Sequence, residues 1–355
     1  MPTVVIAAGG TAGHVVPALA VADALRARGA EVAFVGGERA EAELVPAAGY
    51  EFHPLRVLGI DRRNPLRAAR AVLLAAGATA GARRVLRSIG AGVVLGGGGY
   101  VAGPVGLAAG TLRLPLALTE ADSHLGVTNR LLAPFARRVF LAFPLAGRAG
   151  GKYLVVGRPI PSGTGHSDRR AARERFGIAA DARCLLVFGG SLGARRLNEA
   201  AVDAFGDASP WTVLHASGRR DHDDLRRRLD ALGSPAHYRL HAYITPFADA
   251  LAAADLVAAR AGGSVLEIAA AGVPAILVPY PHATADHQTT NARYMEQAGA
   301  AVVVPDAELN GPRLAREVAA LLGAPERLAA MRAAALTAAR PDAAERIADE
   351  LLALV

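Results

Sequence analysis

Three glycine clusters, a histidine beside the first, and a late loop of neutral hydrogen-bonding side chains are the parts of this 355-residue sequence able to do chemistry. The clusters are Gly9-Gly10-Thr11-Ala12-Gly13-His14, Gly96-Gly97-Gly98-Gly99-Tyr100-Val101-Ala102-Gly103-Pro104 and Gly189-Gly190-Ser191-Leu192-Gly193-Ala194-Arg195. Glycine lets backbone N–H groups come close to a phosphate, and the N-terminus of a following helix adds unpaired donors and a favourable dipole. One such loop is a weak signal. Three, spread over both halves of the chain, point to phosphates held by both halves. None continues into Gly-Lys-Ser/Thr, so a P-loop is excluded. The middle cluster satisfies G-x-G-x-x-A through Gly97, Gly99 and Ala102, and Glu120 closes the next apolar run where a ribose-binding acid would stand. A nicotinamide-dependent dehydrogenase therefore stays open as an alternative.

His14 falls at the expected start of a helix. An imidazole there titrates near neutrality and can take a proton from an attacking hydroxyl; a capping or packing histidine is the plainer reading. In the second half, Arg260-Ala261-Gly262-Gly263-Ser264-Val265-Leu266-Glu267 offers small residues and a turn for a diphosphate. Glu267, one turn into the helix, could accept both hydroxyls of a ribose, or simply complement the helix dipole. Residues 279–291, Pro-Tyr-Pro-His-Ala-Thr-Ala-Asp-His-Gln-Thr-Thr-Asn, are dense in neutral donors and acceptors that suit sugar hydroxyls. Acids with glycosidase spacing and an ordered His/Cys ligand set are both missing, and His282 with His287 is weak evidence for a metal. The expectation is a site with no metal and no cofactor.

Short apolar runs alternate with alanine-rich helical stretches, which argues for parallel sheets covered by helices. Strands are expected at 3–8, 31–35, 92–95, 116–119, 139–142 and 153–156, then at 184–188, 212–215, 237–241, 256–258, 275–278 and 301–303. The rhythm restarts once, after the Pro/Gly-dense stretch 157–165. The fold class is therefore α/β, two doubly wound Rossmann-like domains facing a cleft: residues 1–157, residues 158–340, and a closing helix over 341–355 packed on the domains.

The chain is 52% hydrophobic and 20% charged, enough for sizeable cores. Its one cysteine, Cys184, lies in the apolar run CLLVF, so no internal disulfide forms and a reducing compartment is expected. MPTVVIAAGG lacks a basic region before its apolar stretch and reads as a first strand, not a signal peptide. Residues 91–112 carry no charge, but four consecutive glycines and Pro104 would break a spanning helix. The net charge is +7, and Lys152 is the only lysine. Arg62, Arg63, Arg67, Arg70, Arg83, Arg84 and Arg87 have no acid among them and interleave with Leu66, Leu73, Leu74 and Leu86. That basic amphipathic pattern suits an anionic membrane surface, or an ordinary solvated helix. With no aromatic in the segment, a nucleic-acid partner is not expected.

GGTAGHVVPALAVADAL (9–25), GGGGYVAGPVGLAA (96–109), GVTNRLLAPFARRV (126–139), GGSLGARRLNEA (189–200) and RAGGSVLEIAAAGVPAILVPYPHATADHQTTNA (260–292) occur in that order. Together they resemble the MurG family, the GT-B transferases that add N-acetylglucosamine (GlcNAc) to the lipid-linked muramyl-pentapeptide of bacterial cell wall. The resemblance implies an inverting transfer from UDP-GlcNAc to the 4-hydroxyl of undecaprenyl-diphospho-muramoylpentapeptide (lipid I to lipid II). A related transferase acting on diacylglycerol or a natural product is the alternative. It implies a C-terminal donor domain in which Ser191 touches the diphosphate, the Ile244 backbone the uracil, Glu267 the ribose and Gln288 the GlcNAc ring. Thr11, Ala12, Gly13, Asp122, Arg158, Gly263 and Ser264 complete the donor set. Gly10, Gly98, Gly99, Tyr100 and Gly103 would surround the acceptor diphosphate. His14 becomes the candidate general base and Glu120 its competitor. The chain departs from the family at Thr119-Glu120-Ala121-Asp122, where His-Glu-Gln-Asn is usual, at Gly157-Arg158-Pro159-Ile160-Pro161, where Gly-Asn-Pro-Val-Arg is usual, and in a 260–267 loop one residue shorter. The resemblance further implies a peripheral protein on the cytoplasmic face of the cell membrane, in a possible cell-wall synthesis complex.

Overall fold

The computed structural model describes residues 3–10, 12–57, 65–161, 163–190 and 194–355, except the side chains of residues 12, 65–76 and 284. The chain divides into two units, residues 1–162 with 340–355, and residues 163–339. The changeover lies inside the Pro/Gly-dense stretch 157–165.

In the first unit seven strands form one sheet: β1 (Thr3–Ala7), β2 (Val32–Gly36), β3 (Glu51–Pro54), β4 (Ala91–Gly96), β5 (Leu116–Glu120), β6 (Arg138–Leu141) and β7 (Tyr153–Val155). Their spatial order is β3-β2-β1-β4-β5-β6-β7, and every neighbouring pair is parallel. Both faces of such a sheet are covered, so its strands read as continuous apolar runs. The alternation within them still sorts side chains by face. Val4 and Ile6 join Val21, Leu25, Ile347 and Leu351 on one side; Val5 and Ala7 join Leu86, Val105 and Ala108 on the other. β3 has no counterpart among the expected strands. Its sequence Glu-Phe-His-Pro is half-exposed at the sheet edge, so it lacks the apolar run that marks the others.

The closing helix, Ala343–Leu352, lies on the helix Ala12–Ala27 and so belongs to the first unit. Arg28 grips Asp349 at 2.6 Å, and Arg138 grips Glu350 at 2.8 Å.

The second unit repeats the plan with β8 (Cys184–Phe188), β9 (Thr212–Ala216), β10 (Tyr238–His241), β11 (Leu256–Ala259), β12 (Ala275–Leu277) and β13 (Ala301–Val303). The order is β10-β9-β8-β11-β12-β13, again all parallel. Relative to its own first strand this is 3-2-1-4-5-6, the same winding as the first six strands of unit one. Burial pushes the Cys184 thiol up to about 12, which makes it an inert core residue. Asp255, beside the start of β8, accepts from Arg169, Arg173 and the Cys184 N–H and ties the helix Arg169–Arg175 to the sheet.

No helix among the described residues is long and apolar enough to cross a membrane. The uncharged run 91–112 is β4, a glycine turn and the helix Ala102–Thr111.

Candidate active site

A doubly wound sheet binds ligands beyond the carboxyl ends of its strands where the strand order reverses. That point lies between β1 and β4 in the first unit and between β8 and β11 in the second. The first two glycine clusters leave β1 and β4, and the third cluster and the 260–264 turn leave β8 and β11. Sequence-distant loops thus leave neighbouring strands in pairs, one pair in each unit.

In the first unit the two loops interlock. Gly97 N–H donates to the Ala7 carbonyl at 2.8 Å. Gly99 has φ +75°, and a Cβ there would lie 2.1 Å from the Gly9 carbonyl oxygen, so no other residue fits. Gly98, at φ +86°, lies against the His14 ring, where a Cβ would stand 2.9 Å from Cδ2. Gly103 sits in the first turn of the helix Ala102–Thr111.

Glu41 holds this arrangement from beneath. Fully buried, it accepts from Gly10 N–H and Gly37 N–H, each at 2.9 Å, and from the Tyr100 hydroxyl at 3.3 Å. The Gly10 N–H expected at an acceptor diphosphate is thereby committed to a carboxylate. Tyr100, whose phenol burial and Glu41 push up, carries the Arg39 guanidinium over its ring.

His14 and Glu120 line one small cavity of about 20 Å³, with Gly13, Gly97, Thr119 and Pro159. Burial and then the Arg158 cation lower the His14 pKa, against a smaller opposing pull from Asp122 and Glu41. The ring is therefore neutral at pH 7, the form a base needs. Arg158, buried and part of the first unit, donates to the Gly13 carbonyl at 2.6 Å. Glu120 is occupied differently. Its Oε2 accepts from Gly126 N–H at 2.8 Å and Asn129 Nδ2 at 2.9 Å, and its Oε1 accepts from Asp122 N–H at 3.2 Å. Burial raises its pKa despite these three bonds, which favour the anion. Glu120 clasps the 120–129 loop that carries Asp122.

In the second unit a buried polar chain links β10 and β9 to the helix that follows the third loop. The Tyr238 hydroxyl meets His215 Nδ1 at 2.8 Å, and His215 Nε2 meets Asn198 Oδ1 at 3.0 Å. Asn198 Nδ2 donates to Asp221 Oδ2 at 3.1 Å and to the Ser217 carbonyl at 2.9 Å. Because an amide oxygen only accepts, the network assigns the proton to Nε2. Asp221 in turn holds the exposed guanidiniums of Arg195 and Arg220. Arg195 is the first residue of the helix that follows the third glycine loop.

Around the second reversal point, Gly263 and Ser264 precede the short helix Val265–Ala270, and Glu267 is in its first turn. Ile244 is buried while its neighbour Tyr243 is exposed. Gln288 Oε1 accepts the Tyr280 N–H at 2.9 Å, which closes the polar 280–288 loop. Arg260 faces inward, paired with Asp306 at 2.6 Å. Thr11 and Ser191 lie outside the described residues, as does the side chain of Ala12. No cluster of three or more His, Cys, Asp or Glu side chains among the described residues could hold a metal.

Glu41, Asn129, Asn198, His215, Asp221 and Arg220 were not singled out from sequence. Glu41 reads as an ordinary acid in the first turn of a helix, and Asn198 stands inside the quoted GGSLGARRLNEA motif without any sign of its buried partners.

The N-terminal domain model of glycosyltransferase family 28 matches residues 4–141, and the C-terminal domain model matches 184–347. A protein of Acidithiobacillus ferrooxidans is 44% identical over 98% of this chain and 96% of its own. One from Salinibacter ruber is 42% identical over 99% and 97%. Both are named UDP-N-acetylglucosamine--N-acetylmuramyl-(pentapeptide) pyrophosphoryl-undecaprenol N-acetylglucosamine transferase. The crystal structure of Acinetobacter baumannii MurG superposes with a TM-score of 0.80 at 31% identity, covering 99% of this chain and 100% of that one. The dehydrogenase alternative falls: Gly97, Gly99 and Ala102 match its fingerprint because any phosphate loop leaving a central parallel strand needs close-packed small residues there. The chain is a glycosyltransferase of family 28 with the GT-B architecture, and it belongs to the MurG family.

Proposed function

We propose that this protein transfers GlcNAc from UDP-GlcNAc to the 4-hydroxyl of undecaprenyl-diphospho-muramoylpentapeptide, the step from lipid I to lipid II in peptidoglycan synthesis. The observation that carries this reading is the near-full-length likeness to transferases of that name, joined to a phosphate-loop pair at each reversal point. The first unit takes the acceptor and supplies the base. His14, kept neutral by burial and Arg158, accepts the hydroxyl proton as the oxygen attacks the anomeric carbon; displacement of UDP from the opposite face inverts the configuration. Glu120, clasping its loop with both oxygens, is a positioning residue. The second unit binds the donor through the third loop, the Ile244 backbone, Glu267 and Gln288. Arg195 and Arg220, preset by Asp221, add positive charge to meet the leaving diphosphate, alongside loop N–H groups and helix dipoles. Donor binding on this account needs no metal, and calorimetry of UDP binding with a chelator present tests that; loss of binding would refute it.

Incubation with labelled UDP-GlcNAc and either lipid I or diacylglycerol tests the reaction itself. Transfer to lipid I is expected, and turnover with diacylglycerol alone would overturn the assignment.

Attachment to the cytoplasmic face of the membrane is part of the proposal. Arg83, Arg84 and Arg87 belong to the helix Pro65–Ile89; Arg62 and Arg63 lie outside the described residues, as do the side chains of Arg67 and Arg70. The helix Ala102–Thr111 packs against Pro65–Ile89 and against Val127–Leu132. Along these elements Leu107, Leu131 and Phe135 are 51%, 67% and 71% exposed, an apolar complement to the arginines that the sequence pattern did not reveal. Glutamine at 83, 84 and 87 should weaken binding to anionic vesicles and leave UDP affinity unchanged; equal vesicle binding would return the helix to a solvated surface.

A further inference from the structure

A groove of about 260 Å³ runs beside β10, the edge strand of the second sheet, lined by Arg226, Tyr238, Arg239, Leu240, His241 and the 234–236 turn. Arg226 donates to the Leu240 carbonyl at 3.1 Å, and Arg239 reaches the Gly177 carbonyl at 3.4 Å. Neither guanidinium has a carboxylate partner among the described residues. The nearby acids are already engaged: Asp249 with Arg175, Asp223 with His222, and Asp230 with the Ser234 hydroxyl. The Arg239 Nε–H is buried and has no acceptor among the described residues, an uncommon condition for a buried donor. Phe176 covers His241 edge-on at 5.9 Å. The His241 pKa is lowered first by burial, then by Arg226, His222, Arg175 and Arg239.

Two guanidiniums without a carboxylate partner among the described residues and an imidazole thus line one groove. We propose that this groove binds a phosphate group, held by Arg226 and Arg239 with His241 beside it. A dianion answers two guanidiniums better than a single carboxylate does, and the planar fork of arginine matches phosphate oxygens. The groove lies at the sheet edge, two strands from β8, and is distinct from the loops at the β8/β11 reversal point. It is not remote from them in sequence, because β10 runs directly into Tyr243 and Ile244.

The test is titration of the full-length protein with inorganic phosphate, followed by calorimetry and by the His241 ring proton resonances, with excess UDP present to occupy the donor loops. Binding should persist under UDP, the His241 pKa should rise as phosphate binds, and R226Q/R239Q should lose at least tenfold in affinity at unchanged circular dichroism and melting temperature. R226K/R239K should recover part of the loss. Phosphatidylglycerol vesicles form the second arm: loss of vesicle binding in the glutamine variant would identify a lipid headgroup as the phosphate's source, and loss confined to inorganic phosphate a soluble one. Equal phosphate affinity in wild type and the glutamine variant, or displacement of phosphate by UDP, would overturn the site.

Discussion

The two reversal points share a winding and a glycine-loop design, yet they are braced in opposite ways. In the first unit the brace is carboxylate to backbone: Glu41 takes N–H groups from Gly10 and Gly37, and Glu120 takes them from Asp122 and Gly126. In the second, the chain Tyr238-His215-Asn198-Asp221 ends on two exposed guanidiniums. One device fixes loop shape by spending N–H groups on acids; the other sets cationic side chains beside the helix that follows the third loop. The difference follows the proposed division of labour, since a unit that must place a base needs rigidity and a unit that receives a diphosphate needs positive charge.

The largest effect expected is on the base. General-base assistance is worth about 10²–10⁴ in rate, so His14→Ala should lower kcat by that order with UDP affinity little changed. Glu120→Gln keeps one of the two acceptor oxygens that hold the loop and should cost much less. Stopped assays of both variants decide it, and the reverse order would make Glu120 the base and His14 part of the loop scaffold.

Next comes a pair of truncations at the two braces. Glu41→Ala strands three buried or half-buried donors, and loss of such a charged acceptor costs about 3 kcal/mol or more. Asp221→Ala strands the Asn198 amide but frees two arginines into water, so about 1–2 kcal/mol is expected. UDP affinity should fall for Asp221→Ala and hold for Glu41→Ala. Urea midpoints and calorimetry read the two quantities separately, and parallel losses of affinity would erase the contrast.

The parallel winding was legible because buried strands are apolar runs: TVVIA and CLLVF announce the centres of both sheets, whereas the half-exposed β3 does not. Glycine loops were legible because close approach admits few other residues. The braces were not. Glu41 and Asp221 are acids whose burial is created by partners 4 to 59 and 1 to 26 residues away, and no local pattern encodes that convergence. Likewise the exposed Leu107, Leu131 and Phe135 come from separate segments of the chain, while the basic run between residues 62 and 87 is contiguous and could be read directly.

A smaller effect separates the units by pH. Burial drives the His215 pKa down from its ordinary 6.5 to about 3. The unfolded chain therefore binds a proton between those values and the folded chain does not, so this residue's contribution to stability is intact above pH 6.5 and declines as pH falls. The slope is at most about 1.4 kcal/mol per pH unit from one such group. Denaturation curves from pH 7 to 5 should show this loss for wild type and a flatter profile for His215→Asn; an unchanged slope would mean that other groups dominate.

The smallest effect is the most discriminating for the first unit. A base works unprotonated, so with the His14 pKa held below 6.5 the rate should stay level down to slightly acidic pH and fall below it. Arg158 is the second cause of that depression, after burial. Arg158→Gln removes the cation but not the burial, and should move the acid limb of kcat to higher pH. Glu120 offers a contrast, because its raised pKa comes first from burial, with Asp122 adding to it, and Arg158 is not among its leading causes. A limb governed by Glu120 should therefore move little. Movement of the limb in Arg158→Gln assigns the titration to His14 even though both groups line the same cavity, and a stationary limb assigns it to the carboxylate.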